Sequence, residues 1–122
     1  MIYRGSRDGF DATNFHEKCD TKPNTVTLIK SEHEKIFGGF ISVPWESESG
    51  KEWVSDSSAF LFSVSHKFIS KIKSDETSNA VWHHSNFGPK FGSDILISHD
   101  CNTNSESFSN FGSAYTLPLG MK

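Results

Sequence analysis

The chain has 122 residues, of which 34% are apolar, 13% aromatic and 22% charged, with a formal net charge of −3. That length suits one domain with a core of its own, and eleven Phe and three Trp supply the bulk for it. The mild acidity, with no run of Lys and Arg, argues against sequence-independent nucleic-acid binding, and no stretch approaches the ~18–20 continuous apolar residues of a membrane span.

The N-terminal residues 1–8 lack the apolar centre of a signal peptide, so a cytoplasmic protein is expected. Two cysteines, Cys19 and Cys101, are too few for a disulfide framework. They are expected as reduced thiols, a single long-range disulfide being the minor alternative.

The first local signal is Asp11, a good N-cap, with Phe10 and Phe15 at the two positions of a hydrophobic staple; a short helix is expected over Ala12–Cys19. Ala12, Phe15 and Cys19 recur at three- and four-residue spacing, which gives that helix one apolar face to dock on a neighbour. After the breaker Lys22-Pro23-Asn24, the β-branched run 25–30, the polar turn 31–35 and the run 36–43 read as a hairpin. Gly38-Gly39 weakens a strand interior and so marks a bulge or a close approach, with an aromatic ring expected over it. Pro44-Trp45 ends the strand, and residues 46–58 read as a long exposed loop anchored by Trp53.

Residues 59–64 are the most hydrophobic run and read as a central strand, while 68–73 alternate as a half-exposed strand does. Two further short strands are expected at 80–84 and 95–98, separated by a turn-rich stretch, 85–94, that holds Phe87-Gly88-Pro89-Lys90-Phe91-Gly92. Residues 101–113 have the Ser- and Asn-rich composition of a loop. At least six strands and one early helix describe an α+β, mainly β fold, either an antiparallel α+β domain or a β-sandwich with hairpin connections.

The chemistry-bearing residues form no catalytic constellation. The glutamates between 46 and 52 sit in loop composition, and the glycine pairs lack the Lys and Ser/Thr of a phosphate-binding loop, so no cofactor is expected. His16 and Cys19 with His99 and Cys101 offer the ligand types of an N2S2 zinc set, but their spacing is poor evidence and no metal site is expected. Cys19 reads as a packed side chain. Cys101, in His99-Asp100-Cys101-Asn102, is the candidate redox thiol, open to activation by His99. Arg7 and Asp8-Gly9-Phe10 read as a structural turn at a helix entrance.

Several blocks then recur in a specific order: Ile2-Tyr3-Arg4-Gly5-Ser6-Arg7-Asp8-Gly9-Phe10, Phe15-His16-Glu17-Lys18-Cys19-Asp20, Ile36-Phe37-Gly38-Gly39-Phe40, Pro44-Trp45, Ser55-Asp56, and Ala59-Phe60-Leu61-Phe62-Ser63. They continue through Gly88-Pro89-Lys90-Phe91-Gly92, Asp94-Ile95-Leu96-Ile97, Cys101-Asn102-Thr103-Asn104-Ser105 and Phe108-Ser109-Asn110-Phe111-Gly112. In this order the chain resembles the TLDc domain, in a form similar to its protist branch. The resemblance implies a two-sheet antiparallel β-sandwich with a short N-terminal helix. It covers a single domain over residues 1–122, short of the family's usual N- and C-terminal segments.

It also implies a non-enzymatic interaction module linked to oxidative-stress protection and to the cytosolic sector of the vacuolar proton ATPase, with no nucleic-acid or membrane-inserted partner. The rival readings are a thiol-dependent, peroxide-reactive or other enzyme and a truncated fragment without independent function. The structural positions expected from these blocks are Tyr3, Arg7, Asp8, Gly9, Phe10, Phe15, Phe37, Gly38, Gly39, Trp45, Phe60, Phe62, Phe91 and Gly92, read as core and turn residues.

Overall fold

A computed structural model describes residues 2–31, 34–46, 53–83, 87–98, 107–109 and 114–116. The chain enters through two helices, α1 (Gly5–Asp8) and α2 (Ala12–Cys19). The first is a single turn that the sequence reading missed. Four residues carry no helical periodicity, and its N-terminal segment closes locally when Tyr3 donates its hydroxyl hydrogen to the Gly9 carbonyl at 2.7 Å. The second has the expected bounds. Asp11 and Asn14 form its capping box, Asn14 Oδ1 accepting the Asp11 N–H at 3.1 Å, so an amide fills the place that Glu or Gln usually takes. Ala12, Phe15 and Cys19 are buried, as their spacing demands.

Among the described residues the strands are β1 (Thr25–Lys30), β2 (Ile36–Ile41), β3 (Trp53–Val54), β4 (Phe60–Ser63), β5 (Phe68–Lys71), β6 (Val81–Trp82), β7 (Phe87–Phe91), β8 (Ile95–Ser98) and β9 (Phe108–Ser109). They form two antiparallel sheets, ordered β1-β2-β4-β5 and β3-β6-β7-β8-β9. The expected hairpin is β1 with β2, in register from Thr25↔Ile41 to Lys30↔Ile36, and the run expected as a central strand is β4, between β2 and β5. No described helix is long and apolar enough to cross a membrane.

Three expectations are corrected. The stretch 85–94 is not a turn, because it contains β7. Its register against β8 shifts between Phe87 and Lys90, and that irregularity accommodates Pro89, which has no N–H for the ladder. Trp53, expected to anchor a loop, lies in β3 opposite Trp82 on β6, and part of the Ser- and Asn-rich stretch pairs with β8 as β9. Two-residue strands have no period to read.

The inner faces of the sheets share one core, to which the first contributes Ile41 and Leu61 and the second Val81, Phe91 and Ile95, with Phe15, Trp45 and Tyr115 closing it. Gly39 is where the sheets come closest: a Cβ built there would stand 2.6 Å from a carbon of the Phe91 ring, so only hydrogen fits. The ring expected over the glycine pair is therefore Phe91. Gly38 faces the other way, toward the Thr27 carbonyl and the Phe62 ring. Trp45 meets Phe15 at 5.4 Å and Phe91 at 5.5 Å between ring centroids, both edge-to-face, and its Nε1–H donates to Thr25 Oγ1 at 3.1 Å. One side chain thus joins α2, β1 and β7.

Two buried carboxylates hold backbone across the fold. Asp56 accepts from the Ser42 N–H at 2.6 Å, the Ser42 hydroxyl at 2.8 Å and the Ser58 N–H at 3.0 Å, which fastens the end of β2 to the entrance of β4. Asp94 accepts the Ala114 and Tyr115 N–H groups at 2.8 and 3.2 Å. From there the chain reaches the first sheet: Thr116 N–H donates to the Lys71 carbonyl at 2.8 Å and Lys73 N–H to the Ala114 carbonyl at 2.9 Å. The Tyr115 hydroxyl donates to the Ala80 carbonyl at 2.7 Å. Residues 114–116 are a clasp fastened to both sheets.

Candidate interaction surface

The expected structural residues fall into three groups. Tyr3, Phe15, Trp45, Phe37, Gly39 and Phe91 pack in or against the interior, while Phe10 is half-buried at the helical entry with its ring over Gly5, and Tyr3 meets Phe15 edge-to-face at 5.6 Å. Arg7, Asp8, Gly9 and Gly92 shape turns. Arg7 donates from Nε and Nη2 to the two Asp8 oxygens at 2.9 and 2.8 Å, and the Arg4 N–H also donates to Asp8. The Arg7 hydrogen bond, followed by that from Arg4, brings the Asp8 carboxyl down to about 2. Gly92 has φ +57°, a left-handed conformation that a side chain strains, with Ala114 packed against it. Gly38, Phe60 and Phe62 form the third group. They do not enter the shared core, because the register places Leu61 opposite Gly39 on the inner face and turns both phenyl rings outward.

The groups considered for chemistry are dispersed. Cys19 is buried in the core, and burial, with Asp20 next, pushes its thiol up to about 11, the opposite of an activated nucleophile. His16 bridges α2 to β7, its Nδ1 2.7 Å from Asp20 Oδ1 and its Nε2 2.8 Å from the Phe87 carbonyl oxygen. Cys101 and His99 lie outside the described residues, and among the described residues no three His, Cys, Asp or Glu side chains gather to hold a metal ion. His83, one of the histidines that could serve a cysteine nucleophile as base, is buried beside Trp45 with neither ring nitrogen hydrogen-bonded among the described residues, its Nδ1 3.6 Å from Glu46 Oε2. Burial lowers it from its ordinary value of 6.5, and the Glu46 carboxylate opposes that shift.

The feature that sequence reasoning did not find is the outward face of the first sheet. Alternation along paired strands puts Val26, Phe40, Phe60 and Lys71 in one cross-strand row, and Leu28, Gly38, Phe62 and Ile69 in the next. Phe40 and Phe60 stack at 5.2 Å between centroids, and Phe62 follows Phe60 at 6.4 Å. The flanks are open to solvent: Val26 is 64% exposed, Leu28 65% and Ile69 62%. Next to them an open depression of about 440 Å³ is lined by Phe62, Ser63, Lys67, Phe68 and Ile69. A contiguous apolar face rimmed by polar groups is the kind of surface that protein interaction sites use.

The outward face of the second sheet is different. Trp53 and Trp82 meet at 6.4 Å, Phe87 closes on Trp82 at 5.2 Å, and Lys90 Nζ stands 4.3 Å from the Trp82 ring centre and 5.2 Å from that of Trp53. Lys90 thus lies over Trp82 and within reach of Trp53, which remains 39% exposed.

No curated protein matches this chain. The family model described as the TLDc domain matches residues 1–121, which takes in the helical entry, both sheets and the clasp. The chain belongs to the TLDc domain family.

Proposed function

We propose that this protein is a non-enzymatic interaction module of the cytoplasm that binds the soluble sector of the vacuolar proton ATPase and through it contributes to protection from oxidative stress. Family membership over residues 1–121 supports the class of module. The observation that carries the binding reading is the uncovered apolar face of the first sheet, where Val26, Leu28 and Ile69 stand exposed around the stacked Phe40 and Phe60. Burying such a face against a protein partner is worth roughly 25 cal/mol per Å² of apolar surface before the costs of association.

The test is retention of the purified soluble ATPase sector on the immobilised chain. Retention that survives Cys19→Ser and Cys101→Ser together supports the module and removes the thiol from its action. No retention overturns the assignment of this partner.

A further inference from the structure

We propose that the outward face of the first sheet is the docking site for an acidic amphipathic helix of a protein partner. This inference deepens the reading of the chain as an interaction module and rests on it.

The kind of segment follows from the backbone. The N–H and C=O groups of β1, β2, β4 and β5 lie in the plane of the sheet, toward a neighbouring strand or, at the outer edges of β1 and β5, away from it, so a ligand lying on the face gains no main-chain hydrogen bonds from it. Strand addition needs a sheet edge. A segment that buries itself on a face must satisfy its own backbone, and a helix does so within one segment. The two apolar rows lie about 7 Å apart, two residues along a strand, and each crosses four strands, about 14 Å. That footprint suits two to three turns presenting apolar side chains at i, i+3, i+4 and i+7.

The sign of the partner follows from the rim. Lys71 ends the first row, Lys30 is the outward residue at the far end of β1, and Lys67 lines the depression beside Phe62 and Ile69. No acid points outward from these four strands. In the β1–β2 turn Glu34 stands 4.0 Å from Lys30, and His66 precedes Lys67 in the β4–β5 turn. The chain as a whole has 15 acidic against 12 basic residues, so this basic frame runs against its own average. Asp or Glu flanking an apolar stripe would meet Lys30, Lys67 and Lys71 at the corners. A second copy of this face brings the same three lysines and no outward acid, which disfavours self-pairing. A bilayer is disfavoured too, since three separated lysines fall short of the four to eight clustered basic residues that anionic lipid recognition uses.

The experiment measures fluorescence anisotropy of two labelled helical peptides with the full chain. They share Leu at i, i+3, i+4 and i+7 and differ in flanks of Glu or of Lys. The Glu-flanked peptide is expected to bind about 10-fold more tightly, and Lys67→Glu with Lys71→Glu to reverse the order. Ile69→Asp, at an exposed position, is expected to weaken binding by at least about 10-fold while amide NMR dispersion is kept. Equal binding of the two peptides, an unchanged order in the double variant, or full binding by Ile69→Asp overturns the proposal. So does binding to phosphatidylserine-containing vesicles in place of either peptide, or sedimentation as a dimer that Leu28→Asp dissociates.

The same variants separate this proposal from the reading beneath it. If the ATPase sector is retained equally by the unaltered chain and by Ile69→Asp, the module stands and the face is wrong. If the sector is not retained but the peptide preference holds and reverses, the face stands and the partner is another protein.

Discussion

Both sheets turn aromatic side chains away from the core, and they treat them differently. On the second sheet Lys90 lies over Trp82 and within reach of Trp53, so the chain itself supplies the cover. On the first, the lysines stand at the corners of the half-buried Phe40–Phe60–Phe62 cluster, and among the described residues no cation lies over those rings. An indole covered by a cation is a finished surface, because the ring quadrupole and the lysine stem are both used. Phenyl rings with lysines only at the edges of their face leave apolar surface for the partner proposed above.

The comparison can be broken most severely from the inside. Phe91→Ala removes the ring that fills Gly39 from the opposite sheet and should cost about 3–5 kcal/mol in chemical denaturation, disordering both outward faces together. Gly39→Ala forces a methyl against the same ring and should cost about 1–3 kcal/mol, disturbing the first sheet before the second; amide shifts would report which moves.

Three substitutions sharpen it. Lys90→Met should lower stability by about 0.5–1 kcal/mol through loss of the cation over Trp82, whereas Lys67→Met should stay within about 0.5 kcal/mol of the parent. Equal losses would erase the distinction between the faces. Leu28→Thr, on the bare face, should change stability by less than about 0.5 kcal/mol while reducing partner binding.

Between the sheets a pH effect is expected whose sign follows from burial. His83 is held below its ordinary 6.5 in the folded state, so the unfolded chain binds more protons as acid is added. Its contribution is complete above about pH 6.5 and is lost as the pH falls through the lower folded value. His83→Phe should flatten the stability profile below pH 6.5, as measured by denaturation midpoints across that range.

Much of this architecture was legible because it is local. The α2 cap and the β1–β2 hairpin follow from residues near one another, and the glycine pair itself announces a close approach, though the ring that fills it, Phe91, comes from the other sheet. The direction of β4 was not. In Ala59-Phe60-Leu61-Phe62-Ser63 the bulk sits at Phe60 and Phe62, and a rule that turns large residues inward would bury them. The structure buries Ala59, Leu61 and Ser63 instead, because the volume opposite them is filled from the other sheet by Phe91 and from the β2 exit by Trp45. Parity along a strand is set by what arrives from elsewhere in the chain, and the interaction face went unread for that reason. Asp56 and Asp94 were hidden for a related one, since their value lies in backbone donors up to 21 residues away.

The clasp at residues 114–116 has a dynamic consequence. The N–H groups of the buried Ala114 and Tyr115 are held by Asp94, and that of the exposed Thr116 by the Lys71 carbonyl, so they exchange when the clasp lets go of the sheets. The exchange rates of the Ala114 and Tyr115 amides therefore measure how often the tie between the two sheets is released. Amides at the frayed ends of β1 or β5 report only local events. A partner seated on the outward face of the first sheet would slow exchange in the clasp without touching it, by an amount set by how much it prefers the closed sandwich to the open one.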